Sequence, residues 1–75
     1  MASQSLKNAI QGYENYIVEN GVNENVINAY VMAAETAILN EKDLEYGLKV
    51  SARAKELIES LVERITGGSI WALDS

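Results

Sequence analysis

Apolar positions at the start of the chain repeat with the period of an α-helix. They are Leu6, Ile10, Tyr13 and Ile17. Spacings of four, three and four residues place such positions on one helical face. Asn20 and Gly21 follow, and both residue types tolerate the left-handed backbone that commonly ends a helix. The pattern predicts a first helix over residues 5–20, capped by Ser3 or Ser5.

The rest of the pattern predicts two further helices, over about residues 24–39 and 41–66. Asn23 is a favourable N-cap for the second helix. The apolar positions of that helix cover more than one stripe, which is typical of a helix packed between two neighbours. Asn40 is predicted to cap the third helix, with Asp43 in its first turn as a variant of the capping box.

These elements predict an all-α fold, a small three-helix arrangement in which helices two and three form an antiparallel hairpin. The expected organisation is an N-terminal arm over residues 1–4, a helical domain over 5–66 and a short apolar C-terminal tail over 67–75. Small residues on the two hairpin helices are expected to face each other and to allow a close helix approach. They are Ala33, Ala34 and Ala37 on one helix and Gly47, Ser51 and Ala54 on the other.

The third helix is longer than the other two. About 24 residues span about 36 Å, whereas about 15 residues span about 23 Å. Roughly the last two turns of helix three should therefore overhang the hairpin, and their apolar residues are candidate protein-binding residues. They are Leu57, Ile58, Leu61, Val62 and Ile65. Either helix one folds back over them or a second chain covers them.

The tail supplies three more candidate protein-binding residues, Ile70, Trp71 and Leu73. Chain ends are usually polar, so three bulky apolar residues within four positions indicate docking. Two interpretations stay open. Trp71 folds back onto its own helical core, or it inserts into a neighbouring copy or a different protein, where Trp is a typical anchor.

Composition narrows the function classes. A chain of 75 residues buries only about 60% of the surface that its unfolded state exposes. Domains of this size usually need additional stabilisation from disulfides, a metal or a partner chain. The sequence has no Cys and no His, so disulfides, thiolate metal sites and the usual near-neutral acid–base group are missing. We therefore expect no enzyme, no catalytic residues, no cofactor and no metal. Homo-oligomerisation is the source of additional stability that remains.

The net charge of −5, from 11 acidic and 6 basic residues, does not favour direct nucleic-acid binding. No secretory signal and no run of about 18 apolar residues is visible, so no membrane partner is expected. A cytoplasmic location is the default, and origin in a viral particle is kept as an alternative.

The carboxylates of the helices have a functional and a structural interpretation. Glu56, Glu59 and Glu63 share one helical face and could bind a divalent cation or a basic partner. A carboxylate site needs several convergent oxygens, so solvated surface is the favoured interpretation. The side of helix one that carries Glu14 is also expected to face solvent.

Two stretches resemble parts of known families. Residues 29–57 resemble a single hairpin of the tetratricopeptide type, although the 34-residue period of that family does not recur. Residues 44–65 resemble the second helix of the exonuclease VII small subunit, but the first half of the chain does not follow that family. Neither resemblance assigns a function to these residues.

The function expected from the sequence is a non-catalytic protein–protein interaction module, a self-associating structural or adaptor subunit. The alternative is an acidic inhibitor or decoy that binds a nucleic-acid-handling or regulatory protein. The alternative predicts one coherent acidic face, whereas the acidic residues of helix three are interleaved with Lys49, Arg53, Lys55 and Arg64.

Overall fold

The computed structural model describes residues 1–66. These residues form three α-helices, α1 (Gln4–Asn20), α2 (Glu24–Glu35) and α3 (Leu44–Thr66), and α2 continues into a π-helical turn over Thr36–Asn40. Within this range there is no strand, and α2 packs closely against α3. The predicted all-α fold with a hairpin of helices two and three is confirmed.

Both ends of α1 and the start of α2 form as their residue types predict. Ser3 caps α1, because its Oγ accepts a hydrogen bond from the Leu6 amide at 3.1 Å. At the other end, Gly21 has a φ of 81°, and its amide donates to the Ile17 carbonyl at 2.8 Å. Asn23 then caps α2 by accepting from the Val26 amide at 3.0 Å. The predicted helix end and the predicted second cap are both confirmed.

The second turn differs from the prediction. Asn40 does not cap α3, because it belongs to the π-helical turn and its backbone is still helical. The chain leaves that turn through Lys42, which adopts a left-handed φ of 57°. Asp43 is the cap, and its Oδ1 accepts from the Tyr46 amide at 3.0 Å, which lowers the pKa of the carboxyl group. Helix three therefore begins at Leu44, three residues later than predicted.

The core is small and alanine-rich. Tyr30 is fully buried at its centre, and the Tyr13 ring packs edge-on against it with the centroids 5.4 Å apart. The other buried apolar residues are Ala2, Leu6, Val26, Ile27, Ala33, Ala34, Ala37, Val50, Ala54 and Leu57. Because α2 supplies the largest share and contacts both other helices, it is the central element, as its broad apolar pattern predicts.

Gly47 sets the close approach of α2 and α3. A Cβ atom at this position would overlap the Ile38 side chain and would lie 3.4 Å from the Ala34 carbonyl oxygen. The predicted contact between small residues is therefore present, with Gly47 and Ala54 buried against the alanines of α2. Ser51 differs from the prediction, because it is exposed at the edge of the contact.

A polar cluster joins α1 to the hairpin. The Glu14 carboxylate accepts hydrogen bonds from Arg53 Nε at 2.8 Å and Nη2 at 3.0 Å, and also from the Tyr30 hydroxyl. The Arg53 hydrogen bonds lower the pKa of Glu14, and burial raises the pKa of Tyr30. Glu14 was expected to face solvent, but it is only partly exposed, because its side chain connects all three helices.

The N-terminal arm packs onto the second turn. The Ala2 amide donates to Asp43 Oδ2 at 2.7 Å, and Ala2 is buried. Ser3 donates to Glu41 twice, from its amide at 2.6 Å and from its hydroxyl at 2.8 Å. We call these three hydrogen bonds the N-terminal clasp. The clasp holds the start of α1 against the turn that joins α2 to α3.

The described part of the chain is flat, with extents of 41 × 27 × 13 Å. A thickness near that of one helix means that α2 and α3 are not enclosed on all sides. None of the helices in residues 1–66 is both long and apolar enough to span a membrane.

Candidate protein-binding surface

One row of α3 side chains faces away from the core. It consists of Leu44, Leu48, Ser51, Lys55, Ile58, Val62 and Ile65, and we call it the open row. Leu44 is 61% exposed, Leu48 is 58% exposed and Ile65 is 74% exposed. The core row of the same helix, by contrast, contains the buried residues Val50, Ala54 and Leu57. Helix α3 thus carries two apolar rows, and the described residues bury one of them.

The open row has the spacing of a helix-packing seam. Successive members lie alternately four and three residues apart from Leu44 to Ile65, an average period of about 3.5 residues. Five of its seven members are apolar, and the two polar members, Ser51 and Lys55, lie in the middle. This period is the one by which two helices pack side by side over several turns. A second helix is therefore the kind of structure that fits the open row.

A groove runs between α2 and α3 beside the open row. It has a volume of about 410 Å³, and most of its lining is apolar. Its residues are Val31, Ala34, Glu35, Ile38 and Leu39 on one side and Ser51, Ala54, Lys55 and Ile58 on the other. The floor is shallow because Ala34 and Ala54 are small, and the large side chains Leu39 and Ile58 form its rims. Clefts of this shape and lining are typical binding sites for apolar groups.

The groove carries one charge of each sign. Glu35 and Lys55 are both exposed at its edges, on α2 and on α3. Within residues 1–66 neither side chain forms an ion pair, whereas Glu14 and Arg53 on the other side of the hairpin pair with each other. A surface that presents an acid and a base in this way is complementary in charge to a copy of itself.

The predicted binding residues of helix three do not all reach the surface. Leu57 was predicted to bind a partner, but it is only 2% exposed and belongs to the core of the described chain, so it is not part of the exposed surface. The reason is its position on the buried row of α3, together with Val50 and Ala54. Leu61 and Val62 are half-buried, while Ile58 is 44% and Ile65 is 74% exposed. Ile70, Trp71 and Leu73 lie outside the described residues.

The predicted overhang of α3 is partly covered by the turn between α1 and α2. Arg64 donates a hydrogen bond to the Val22 carbonyl, and Val22 and Leu61 pack against the core. This contact covers one side of the last two turns. The open row lies on another side, where Ile58 and Ile65 remain exposed.

Five large apolar residues of the groove or open row were missing from the predicted binding set, as were the charged residues Glu35 and Lys55. The apolar residues are Val31, Ile38, Leu39, Leu44 and Leu48. The sequence contains a pattern that could have identified Leu44 and Leu48, because both are out of phase with the Val50–Ala54–Leu57 row. Two apolar rows on one amphipathic helix indicate two packing surfaces.

The carboxylates do not form a metal site in the part of the chain that the structure describes. Among residues 1–66, no cluster of three or more acidic side chains is placed to hold an ion. Glu56 lies beside Arg53, with Arg53 Nη1 at 3.7 Å from its Oε1. On α3 the basic residues Lys49 and Lys55 are exposed among the acids, which does not favour the acidic-decoy alternative.

Comparison of the chain with protein-family models, with curated proteins and with solved structures finds no match. The open row, the groove and the charges beside them are therefore the features that bear on its function.

Proposed function

We propose that this protein is a non-catalytic interaction subunit that associates with a second copy of itself through the groove and the adjoining part of the open row. The observation that carries the proposal is the pair of apolar rows on α3, of which residues 1–66 bury only one. Exposed large apolar side chains at contiguous helical positions mark protein contact surfaces in soluble proteins.

A specific dimer needs a contact of sufficient area. A standard interface buries about 800 Å² of surface on each partner. The described residues extend over 41 × 27 Å, so a contact of that size would occupy most of one broad face. Small domains usually need stabilisation beyond their own core, from disulfides, a metal or a partner chain. Pairing of the uncovered face with a second copy would supply this additional apolar burial.

The charges favour a second copy over an unrelated partner. In a two-fold symmetric dimer each residue contact occurs twice, with the roles exchanged. Glu35 of each copy then meets Lys55 of the other, and the flanking apolar residues Leu39 and Ile58 pack around both pairs. A basic or an acidic partner would satisfy only one of the two charges.

Charge reversal with sedimentation tests this arrangement. Wild-type protein is expected to dimerise, and Glu35→Lys or Lys55→Glu alone should weaken dimerisation by about tenfold, equivalent to about 1.4 kcal/mol. The double reversal should restore dimerisation, because it recreates the opposite charges in the exchanged order. Leu48→Lys should abolish the dimer, since it introduces a charge into the apolar seam.

Val18→Lys is the matched control. Val18 is 85% exposed on α1, outside the groove and the open row, so its substitution should leave dimerisation unchanged. The proposal fails if the wild-type chain is a monomer up to about 1 mM, a concentration at which even weak specific dimers form. It also fails if Val18→Lys disrupts assembly as strongly as Leu48→Lys.

A further inference from the structure

We propose that a cleft between α1 and α2 binds a small uncharged aromatic compound that carries a hydroxyl or an amide group. The cleft has a volume of about 370 Å³, and we call it the tyrosine cleft. Its lining residues are Gly12, Tyr13, Tyr16, Asn25, Val26 and Ala29. None of them lines the groove between α2 and α3 or belongs to the open row, so the inference does not depend on dimerisation.

Gly12 leaves the wall of the tyrosine cleft open on α1. Glycine is unfavourable in a helix interior, and it is useful where a side chain would obstruct a close approach. Gly47 meets such a need, because a Cβ atom there would overlap the Ile38 side chain. A Cβ atom at Gly12 would meet nothing within 4 Å, so the packing of residues 1–66 does not require a glycine there. The missing side chain instead leaves space for a ligand.

The lining of the tyrosine cleft favours an uncharged ring. Its six residues include no Asp, Glu, Lys or Arg, so an ionic ligand would lose hydration without gaining a counter-charge. Val26 and Ala29 supply aliphatic surface, and Tyr16 is 39% exposed. Aromatic rings pack favourably against one another in edge-on or offset arrangements. An aromatic ring without a charge is therefore the group that matches this lining.

Two polar groups of the lining are available to a substituent on the ring. The Tyr16 hydroxyl accepts a hydrogen bond from Asn23 Nδ2 at 2.7 Å, and its own proton has no acceptor among residues 1–66. The Asn25 side chain is exposed and forms no hydrogen bond in the same range. Because a carboxamide both donates and accepts, a hydroxyl or an amide on the ligand can pair with these groups.

The surroundings of the tyrosine cleft favour a small compound over a protein partner. Four residues that directly precede lining residues are polar or charged and exposed, namely Gln11, Asn15, Glu24 and Asn28. A protein partner needs a contact of about 800 Å² on each side, with an apolar centre. The volume of the cleft instead lies within the range of about 300–1,000 Å³ that is typical of small-molecule sites.

Nuclear magnetic resonance titration of the isotope-labelled, full-length protein with para-hydroxybenzamide tests the assignment. We expect saturable shifts of the Gly12 and Ala29 amide signals, with a dissociation constant of about 1 mM or lower. The compound para-hydroxybenzoate has nearly the same shape but is anionic at neutral pH. It should bind at least about tenfold more weakly, because the cleft offers no counter-charge.

Gly12→Leu fills the tyrosine cleft and should abolish binding of para-hydroxybenzamide. The fold should be retained, with a thermal midpoint at least equal to that of the wild type, because the space beside Gly12 is empty and leucine favours a helix. Gln11→Leu is the matched control, since it places the same side chain at an exposed neighbouring position outside the cleft, and it should leave binding unchanged.

Three outcomes would overturn the inference. The first is the absence of saturable shifts at Gly12 and Ala29 up to about 10 mM para-hydroxybenzamide. The second is equal affinity for the amide and the anionic compound. The third is an equal loss of binding in Gly12→Leu and Gln11→Leu.

Discussion

The two sides of the α2–α3 hairpin are built from the same helices but differ in composition and in cover. The side next to α1 contains Tyr30 and a series of alanines, and it is closed by the Glu14–Arg53 ion pair. The other side presents larger residues such as Leu39 and Leu48, and no helix of the described chain covers it. Large apolar side chains therefore lie on both sides of the hairpin, but within residues 1–66 only those on the side next to α1, such as Tyr30 and Leu57, are buried.

The neighbouring residues Leu57 and Ile58 give the sharpest test of this contrast. Leu57→Ala should destabilise the fold by about 2–5 kcal/mol, because it leaves a cavity beside the buried core. Ile58→Ala should change the free energy of unfolding by only about 0.5 kcal/mol, since Ile58 is 44% exposed. Urea denaturation of both variants measures the difference. Equal destabilisation would contradict the separation of the two sides.

Substitution by alanine should change the free energy of unfolding in opposite directions at two helical glycines, Gly47 and Gly12. Gly47→Ala gains helix propensity of about 1 kcal/mol but overpacks against Ile38, at a cost of about 1–3 kcal/mol. A net loss of about 1 kcal/mol is expected. Gly12→Ala meets nothing within 4 Å and should stabilise the protein by about 0.5–1 kcal/mol. Thermal or urea unfolding compares the two, and stabilisation by Gly47→Ala would mean that the helices approach less closely.

The cap of α3 can be located by a second pair of variants. Asp43→Ala removes the acceptor of the Tyr46 and Ala2 amides, so the thermal midpoint should fall. Asn40→Ala should leave the midpoint nearly unchanged, because Asn40 is exposed in the π-helical turn and makes no cap hydrogen bond. A larger effect at Asn40 than at Asp43 would support the cap that the sequence pattern predicts.

The smallest expected effect concerns the ion pair that closes the covered side. Both partners are about one-third exposed, so Glu14→Gln should cost no more than about 1 kcal/mol. The Glu14 pKa is lowered in the folded state, and its contribution is therefore present above the ordinary value of 4.5 and lost as the pH falls through the lowered pKa. On acidification the wild-type protein should lose the contribution of this ion pair to its free energy of unfolding, whereas Glu14→Gln has no such contribution to lose. Parallel acid-dependence curves for the two proteins would show that the pair contributes nothing.

Helix periodicity and cap chemistry suffice to predict much of the fold. The spacing from Leu6 to Ile17 and the Asn20–Gly21 and Asn23 turn residues predict α1 and the start of α2 correctly. The second turn could not be predicted in the same way, because Asn40 and Asp43 are both good caps. The choice depends on Lys42 taking a left-handed conformation, which the residue type does not favour.

The candidate site is harder to predict, because burial depends on which of two rows faces the neighbouring helix. Leu57 and Ile58 are adjacent and equally apolar, so only their phase relative to α2 separates the core residue from the surface residue. The Glu14–Arg53 contact is also invisible in the sequence pattern, since the two residues are 39 positions apart. Such contacts depend on tertiary packing and not on local spacing.

The N-terminal clasp has a consequence for the order of folding. Its hydrogen bonds join residues 38 and 41 positions apart, whereas the hairpin turn that they contact closes over only a few residues. Closing a longer loop costs more chain entropy, so the clasp should form after the hairpin and should open before it. Amide hydrogens of Ala2 and Ser3 should therefore exchange with solvent faster than those at the centre of α2, although both groups are hydrogen-bonded in the native state.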